Sequence, residues 1–279
     1  MGPMSQSRRL PDFLIVGAQK SGTTTLLQGL NLHPEVFCVP EVHFFCDRYQ
    51  LGLEWYAEKL AAGSAKRLLG EKCPHYLSHA EAPARIAETV PGVKLIVILR
   101  DPVRRAYAHY WHHRRRRQEG LTFAEALAAE DNRVAQGDDN AAYLGRSRYL
   151  PQLQRLCLYH PRDSLQVILF EEFLEKPTYM LNEVCSFLDV PAFNRDVELP
   201  RANAYRQQRP EWLGNVMSRY RLWNRMPSWV ALRLWNAMTH EPAYEPIDPV
   251  LERELREELA PHNRALANWL NRDLDVWAT

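Results

Sequence analysis

Short, wholly apolar runs alternate along this chain with longer segments whose apolar residues recur every three to four positions, and the alternation predicts its elements. Phe13-Leu14-Ile15-Val16 is apolar throughout and β-branched at Ile15 and Val16, which suits a central strand of a parallel sheet buried on both faces. Val36 to Val39, stopped by Pro40, reads as a second strand, Leu68 to Glu71 as a third, Lys94 to Leu99 as a fourth and Leu165 to Phe170 as a fifth. Helical spacing covers Thr25–Leu30, Glu54–Leu60, Glu81–Thr89, Val103–Arg117, Phe123–Val134 and Ser147–Tyr159. Strands separated by helices predict an α/β three-layer sandwich with a mainly parallel sheet of about five strands, its ligands at the carboxyl ends of the strands.

Beyond the fifth strand the pattern loosens. Pro191 to Pro210 is polar and reads as a long loop, Glu211 to His240 is rich in tryptophan, and Pro249 to Ala260 predicts a charged helix. With no repeat, low-complexity tract or linker, one domain over residues 1–279 is expected, with residues 1–190 as its core. The 35 basic and 34 acidic side chains nearly cancel, so there is no global pull toward nucleic acid or membrane, and electrostatic recognition falls to local clusters. Five cysteines, at 38, 46, 73, 157 and 185, lack metal-type pairing, and neither a membrane-length apolar run nor a secretion signal is present, so reduced thiols in a cytoplasmic protein are expected.

The chemistry concentrates in Asp12 to Leu32, a buried strand, a glycine-bounded loop and a helix in one run. The loop Gly17-Ala18-Gln19-Lys20-Ser21-Gly22-Thr23-Thr24 feeds a helix N-terminus, where the first N–H groups lack internal partners and the dipole is positive. Phosphate is the expected guest. The spacing is close to G-x-x-x-x-G-K-[ST], yet Thr23 stands where the lysine should be, and Lys20 lies earlier. A nucleoside-triphosphate hydrolase also needs an aspartate after an apolar strand to organise Mg²⁺, whereas Lys94–Leu99 runs into Arg100-Asp101-Pro102, a cation first. Two phosphate-directed strand ends suggest a ligand phosphorylated at two places.

Four motifs occur in order: G-x-x-K-S-G-T-T after the first strand, P-E-V-H-F-F after the second, G-E-K-C-P-x-Y after the third and L-R-D-P-x-x-R-A-Y after the fourth. Over the first 190 residues the chain thereby resembles the sulfotransferases that use 3'-phosphoadenosine 5'-phosphosulfate (PAPS), in particular the group containing heparan sulfate sulfotransferases and bacterial relatives. The resemblance implies a P-loop-like fold, PAPS as co-substrate, 3'-phosphoadenosine 5'-phosphate (PAP) as product, an alcohol-bearing acceptor (glycan, lipid or small molecule) and no metal. It makes Glu41 the general base with His43 as supporting or alternative base, and Lys72 the second active-site lysine. Lys20 is placed to neutralise the leaving phosphate, Arg100 to hold the 3'-phosphate, and Gln19, Ser21, Gly22, Thr23 and Thr24 to cradle the nucleotide. Glu41 and His43, two apart past a strand, would project to one side of an extended segment.

This chain departs from the family pattern in three places: Ala108 stands where a serine usually meets the same phosphate, Cys46 where an aspartate usually follows F-F, and no basic K-G-R loop lies between Arg201 and Arg209. A P-loop kinase and a non-catalytic nucleotide-binding protein are the competing readings. Arg114 to Arg117 reads first as a solvated helix face, and His75 with His79, lacking a following catalytic glutamate, gives no zinc motif. The stripe Trp212, Val216, Tyr220 and Trp223, continued by Met226, Trp229, Leu232 and Trp235, reads as core, with a roof over an apolar acceptor as the sharper alternative. Oligomeric state is left open.

Overall fold

A computed structural model of the chain describes residues 9–199, 207–208, 239–240 and 245–277. Five strands, β1 Phe13–Gly17, β2 Val36–Pro40, β3 Leu68–Lys72, β4 Lys94–Leu99 and β5 Leu165–Leu169, run parallel in the order β2-β3-β1-β4-β5. The central strand is therefore β1, and its loop opens between the ends of β3 and β4. The expected strands and sheet class are all present.

The uniformly apolar strands are explained by what covers them. Leu14 and Val16 of β1, with Leu95, Val97 and Leu99 of β4, enter one core together with Phe44, Phe45, Tyr56, Ile86 and Leu153. Phe13 and Ile15, with Ile96 and Ile98, enter the opposite core against Leu26, Leu30, Leu181 and Val184. Burying each such side chain contributes about 1.5–3 kcal/mol, so both faces hold the sheet in register. The helices of these layers are α1 Thr23–Leu30, α2 Phe44–Asp47, α3 Gly52–Leu60, α4 Ala82–Thr89, α5 Pro102–Arg115, α6 Phe123–Ala128, α7 Glu130–Ala135, α8 Tyr149–Cys157, α9 Phe170–Glu175, α10 Pro177–Phe187 and α11 Pro249–Leu270.

Two helices differ from expectation. The segment Phe123–Val134 divides into α6 and α7, because the buried Glu130 turns inward and accepts Leu144 N–H at 2.7 Å and Gly145 N–H at 2.6 Å. Helix α11 does not stop at Ala260 but continues through Pro261 to Leu270. Its Asp248 cap and the burial of Leu255, Leu259 and Leu266 along one face outweigh the hydrogen bond that proline removes.

Residues 1–200 with 247–279 form one compact unit and 201–246 a second. In the second, Gln207–Gln208 pairs antiparallel with Thr239–His240. The tryptophan stripe of residues 212–235 lies outside the described residues. No helix among the described residues is long and apolar enough to cross a membrane.

Candidate active site

Gly22 gives the loop after β1 its turn: at φ +90° a side chain is strained, and its Cβ would stand 2.6 Å from the Phe170 ring. Lys20 also sits in the left-handed region, at φ 68°, and its Nζ lies 3.5 Å from His112 Nδ1 on α5. Arg100, at the end of β4, donates to the Lys20 carbonyl at 3.1 Å and stacks over Phe170 at 5.0 Å. Gln19 is held from two sides, its side-chain oxygen accepting from Arg146 at 2.9 Å and its carbonyl from Arg105 at 3.4 Å. Ser21 and Thr23 are buried, and Thr24 accepts from Lys72 at 3.4 Å.

The loop is crowded with positive charge. Burial first, then the neighbouring Arg115, Arg100 and Arg116, push the Lys20 ammonium down to about 8, with Glu41 opposing them. Three arginines destabilising one buried ammonium describe a place that an anion completes. The Arg114–Arg117 run is thus only partly the solvated face expected: Arg115 and Arg116 bear electrostatically on Lys20 in the loop after β1, while Arg114 donates to the Glu119 and Gly120 carbonyls.

The other half of the site lies past β2 and β3. Lys72 Nζ donates to Glu41 Oε1 at 2.5 Å, the lysine side chain being 2% exposed and the carboxylate 50%. Burial pushes Glu41 up, but the hydrogen bond and charge of Lys72, followed by His43 and His75, outweigh it and hold the carboxyl below its usual value. His43 Nε2 is 4.0 Å from Glu41 Oε2. These side chains do converge, though not along an extended segment: Glu41 has φ 45° and His43 φ 61°. Left-handed backbone costs about 1–2 kcal/mol at a residue with a Cβ, and such outliers gather at functional sites.

Glu71 explains how that backbone is held. Fully buried, it accepts Val42 N–H at 3.1 Å, Tyr56 O–H at 2.6 Å and Tyr76 O–H at 2.8 Å, while Tyr76 O–H in turn accepts Phe45 N–H at 3.3 Å. Burial pushes the Glu71 carboxyl up to about 7 against those hydrogen bonds. Sequence reasoning passed over Glu71; a glutamate ending an otherwise apolar strand was the available signal.

Ala108 is buried on α5 one turn before His112, the residue that reaches Lys20. His75 lies 3.5 Å from Gln19 Nε2 and packs its ring 5.2 Å from that of His43, whereas His79 caps α4 by accepting Glu81 and Ala82 N–H at 3.2 Å each. Asp101, the acidic residue that follows Arg100 after β4, caps α5 by accepting Arg104 N–H at 2.8 Å and pairs with Arg256 at 3.0 Å. Beside Lys72, His43 Nδ1 stands 3.6 Å from Cys46 Sγ and 3.5 Å from Cys73 Sγ. The Cys46 thiol is lowered to about 5, first by its hydrogen bond with Cys73 and then, against burial, by His43. A cleft of about 640 Å³ opens next to these groups, lined by Cys46, Asp47, His75, Asn140, Arg146 and Arg155 among others.

Residues 10–228 match the model of the sulfotransferase domain family. Human heparan sulfate glucosamine 3-O-sulfotransferase 3B1 is 31% identical over 225 residues, covering 77% of this chain and 57% of that protein. Human bifunctional heparan sulfate N-deacetylase/N-sulfotransferase 3 is 33% identical over 203 residues, 67% of this chain and 23% of that one. The chain thus spans little more than half the length of the first of these relatives and under a quarter of the second. A solved sulfotransferase from Alicyclobacillus acidocaldarius superposes over 97% of this chain and 100% of its own, with a TM-score of 0.75 and 25% identity. With the five-stranded parallel sheet and a match over most of its length in agreement, the chain belongs to the sulfotransferase domain family.

Proposed function

We propose that this chain moves the sulfuryl group of PAPS to a hydroxyl of a polar, carbohydrate-like acceptor in an in-line transfer. The observation that carries the reading is the meeting of Lys72 with Glu41 at 2.5 Å, beside a loop whose Lys20 is crowded by Arg100 and Arg115. Glu41 takes the acceptor hydroxyl proton as the oxygen forms its bond to sulfur; the bond from sulfur to the bridging phosphate oxygen breaks, and its electron pair stays on that oxygen. Lys20 neutralises this leaving group. Arg100, with the loop backbone at the α1 N-terminus, holds the nucleotide phosphates. His43 supports Glu41, and none of these roles calls on a metal.

The polar lining of the cleft supports a glycan-like acceptor over a lipid or an apolar natural-product alcohol. The heparan sulfate named for the relatives points the same way. A cytosolic setting fits the five free thiols. The kinase reading is disfavoured because the carboxylate of Asp101 is committed to the α5 cap and Arg256. Calorimetry decides between the donors: PAP is expected to bind without Mg²⁺, and tighter binding of Mg²⁺-ATP would replace this reading with the kinase. A screen with labelled PAPS, comparing oligosaccharides with long-chain alcohols, tests the acceptor.

A further inference from the structure

We propose that His43, Cys46 and Cys73 form a zinc site that clamps the base-bearing loop to the end of β3. One donor atom from each lies within 4.8 Å of the other two. Zinc bonds of about 2.3 Å to sulfur and about 2.0–2.1 Å to nitrogen, set at the tetrahedral angle, put sulfur and nitrogen about 3.6 Å apart. The distances from His43 Nδ1 are 3.6 Å to Cys46 Sγ and 3.5 Å to Cys73 Sγ, the two edges that this geometry requires. Two thiolates and an imidazole are a soft donor set that selects zinc over magnesium or calcium.

The placement is built by the fold. His43 and Cys46 stand three apart around the start of α2, and Cys73 is the residue after β3, so one ion would tie two neighbouring strand ends together. Cys46 and Cys73 are buried, and Cys46 lines the cleft, which gives an ion its route in. Asp47 Oδ2, 3.7 Å from His43 Nδ1 on an exposed side chain, or a solvent molecule from the cleft, completes the fourth position. Binding releases the thiol protons to solvent. With Nδ1 on the ion, His43 Nε2 stands 4.0 Å from Glu41 Oε2, and closing that gap to hydrogen-bond distance would make the carboxylate–histidine–metal arrangement that fixes a ring's tautomer and orientation. In this site His43 is a positioning residue for the base, and the ion takes no part in the bond changes.

The full chain, stripped with a chelator and kept under reductant, would be titrated with Co²⁺ and then Zn²⁺ while absorbance and metal content are followed. One tightly bound ion per chain, a thiolate-to-cobalt charge-transfer band and displacement of cobalt by zinc are expected. Cys46→Ala and Cys73→Ala should each weaken the charge-transfer band and weaken the metal by more than the roughly 10–100-fold that loss of an outer partner costs, and the double variant should abolish the band. PAP binding, measured on the same stripped and loaded samples, shows that each variant is folded and keeps the two readings apart. Retained PAP binding with no charge-transfer band overturns the zinc site alone, and metal binding without PAP binding overturns the donor assignment alone. Metal binding unchanged in both cysteine variants, or a chain two hydrogens lighter through a Cys46–Cys73 disulfide and unable to take metal under reductant, also overturns the zinc site.

Discussion

The buried Lys72 ammonium meets the half-exposed Glu41 carboxylate at 2.5 Å, so the general base of the proposed reaction is held ionised by a cation that is itself nearly shut off from water. Glu41→Gln keeps the shape and cannot accept a proton. We expect kcat to fall by roughly 10² or more with PAP affinity unchanged, read by steady-state kinetics and calorimetry. Full turnover in this variant would remove Glu41 from its role.

The same pair sets a pH dependence. Lys72 is the chief influence holding Glu41 below its usual value, so Lys72→Met should raise the Glu41 pKa and move the acid limb of the kcat/KM profile to higher pH. Loss of rate at every pH with an unmoved limb would leave Lys72 a binding residue only.

Lys20 titrates with opposite consequences for ligand and fold. In the proposed reaction its charge serves the phosphates, so kcat/KM and PAP affinity should fall as pH rises through about 8. Between about 8 and its ordinary 10.5 the unfolded chain binds a proton that the folded one does not. Its contribution to the ligand-free protein is therefore a stability that rises with pH across that window. Lys20→Met should flatten both trends, with melting curves taken with and without PAP as the check.

Glu71→Ala strands Val42 N–H and two buried tyrosine hydroxyls at once. Each unsatisfied group costs about 1–3 kcal/mol, so a fall in Tm of several degrees is expected, along with a lower kcat as the Glu41 loop loosens. Turnover unchanged in the fraction that remains folded would show that the loop keeps its conformation unaided.

Ala108→Ser supplies the hydroxyl that the resemblance to the family leads one to expect there. If the site admits it, PAP should bind tighter by about 0.5–1.5 kcal/mol, the net worth of one hydrogen bond. Unchanged affinity in calorimetry would mean that His112, one turn further along α5 and 3.5 Å from Lys20, already fills the position.

The sheet and the placement of the candidate site residues were legible because buried parallel strands read as unbroken apolar runs and the motifs sit at strand ends. Lys20, Lys72, Arg100, Glu41 and His43 all converge where those ends do. What escaped was set by tertiary context. The left-handed backbone at Glu41 and His43 depends on Glu71, distant in sequence. Pro261 inside α11 is tolerated because Leu266 is buried beyond it, and Arg115 faces Lys20 only because α5 runs past the phosphate loop. The pairing of Gln207–Gln208 with Thr239–His240 joins segments with no local signal linking them.

The strand order β2-β3-β1-β4-β5 divides labour across the sheet. Glu41, His43 and Lys72 hang from the β2 and β3 side; Arg100 and Phe170 hang from the β4 and β5 side; and the phosphate loop is the hinge line between them. On the proposed reading, changes in the loops after β2 and β3 would retune which alcohol is accepted while the nucleotide grip on the β4 side is kept, so that two lineages could diverge in product and still share a donor.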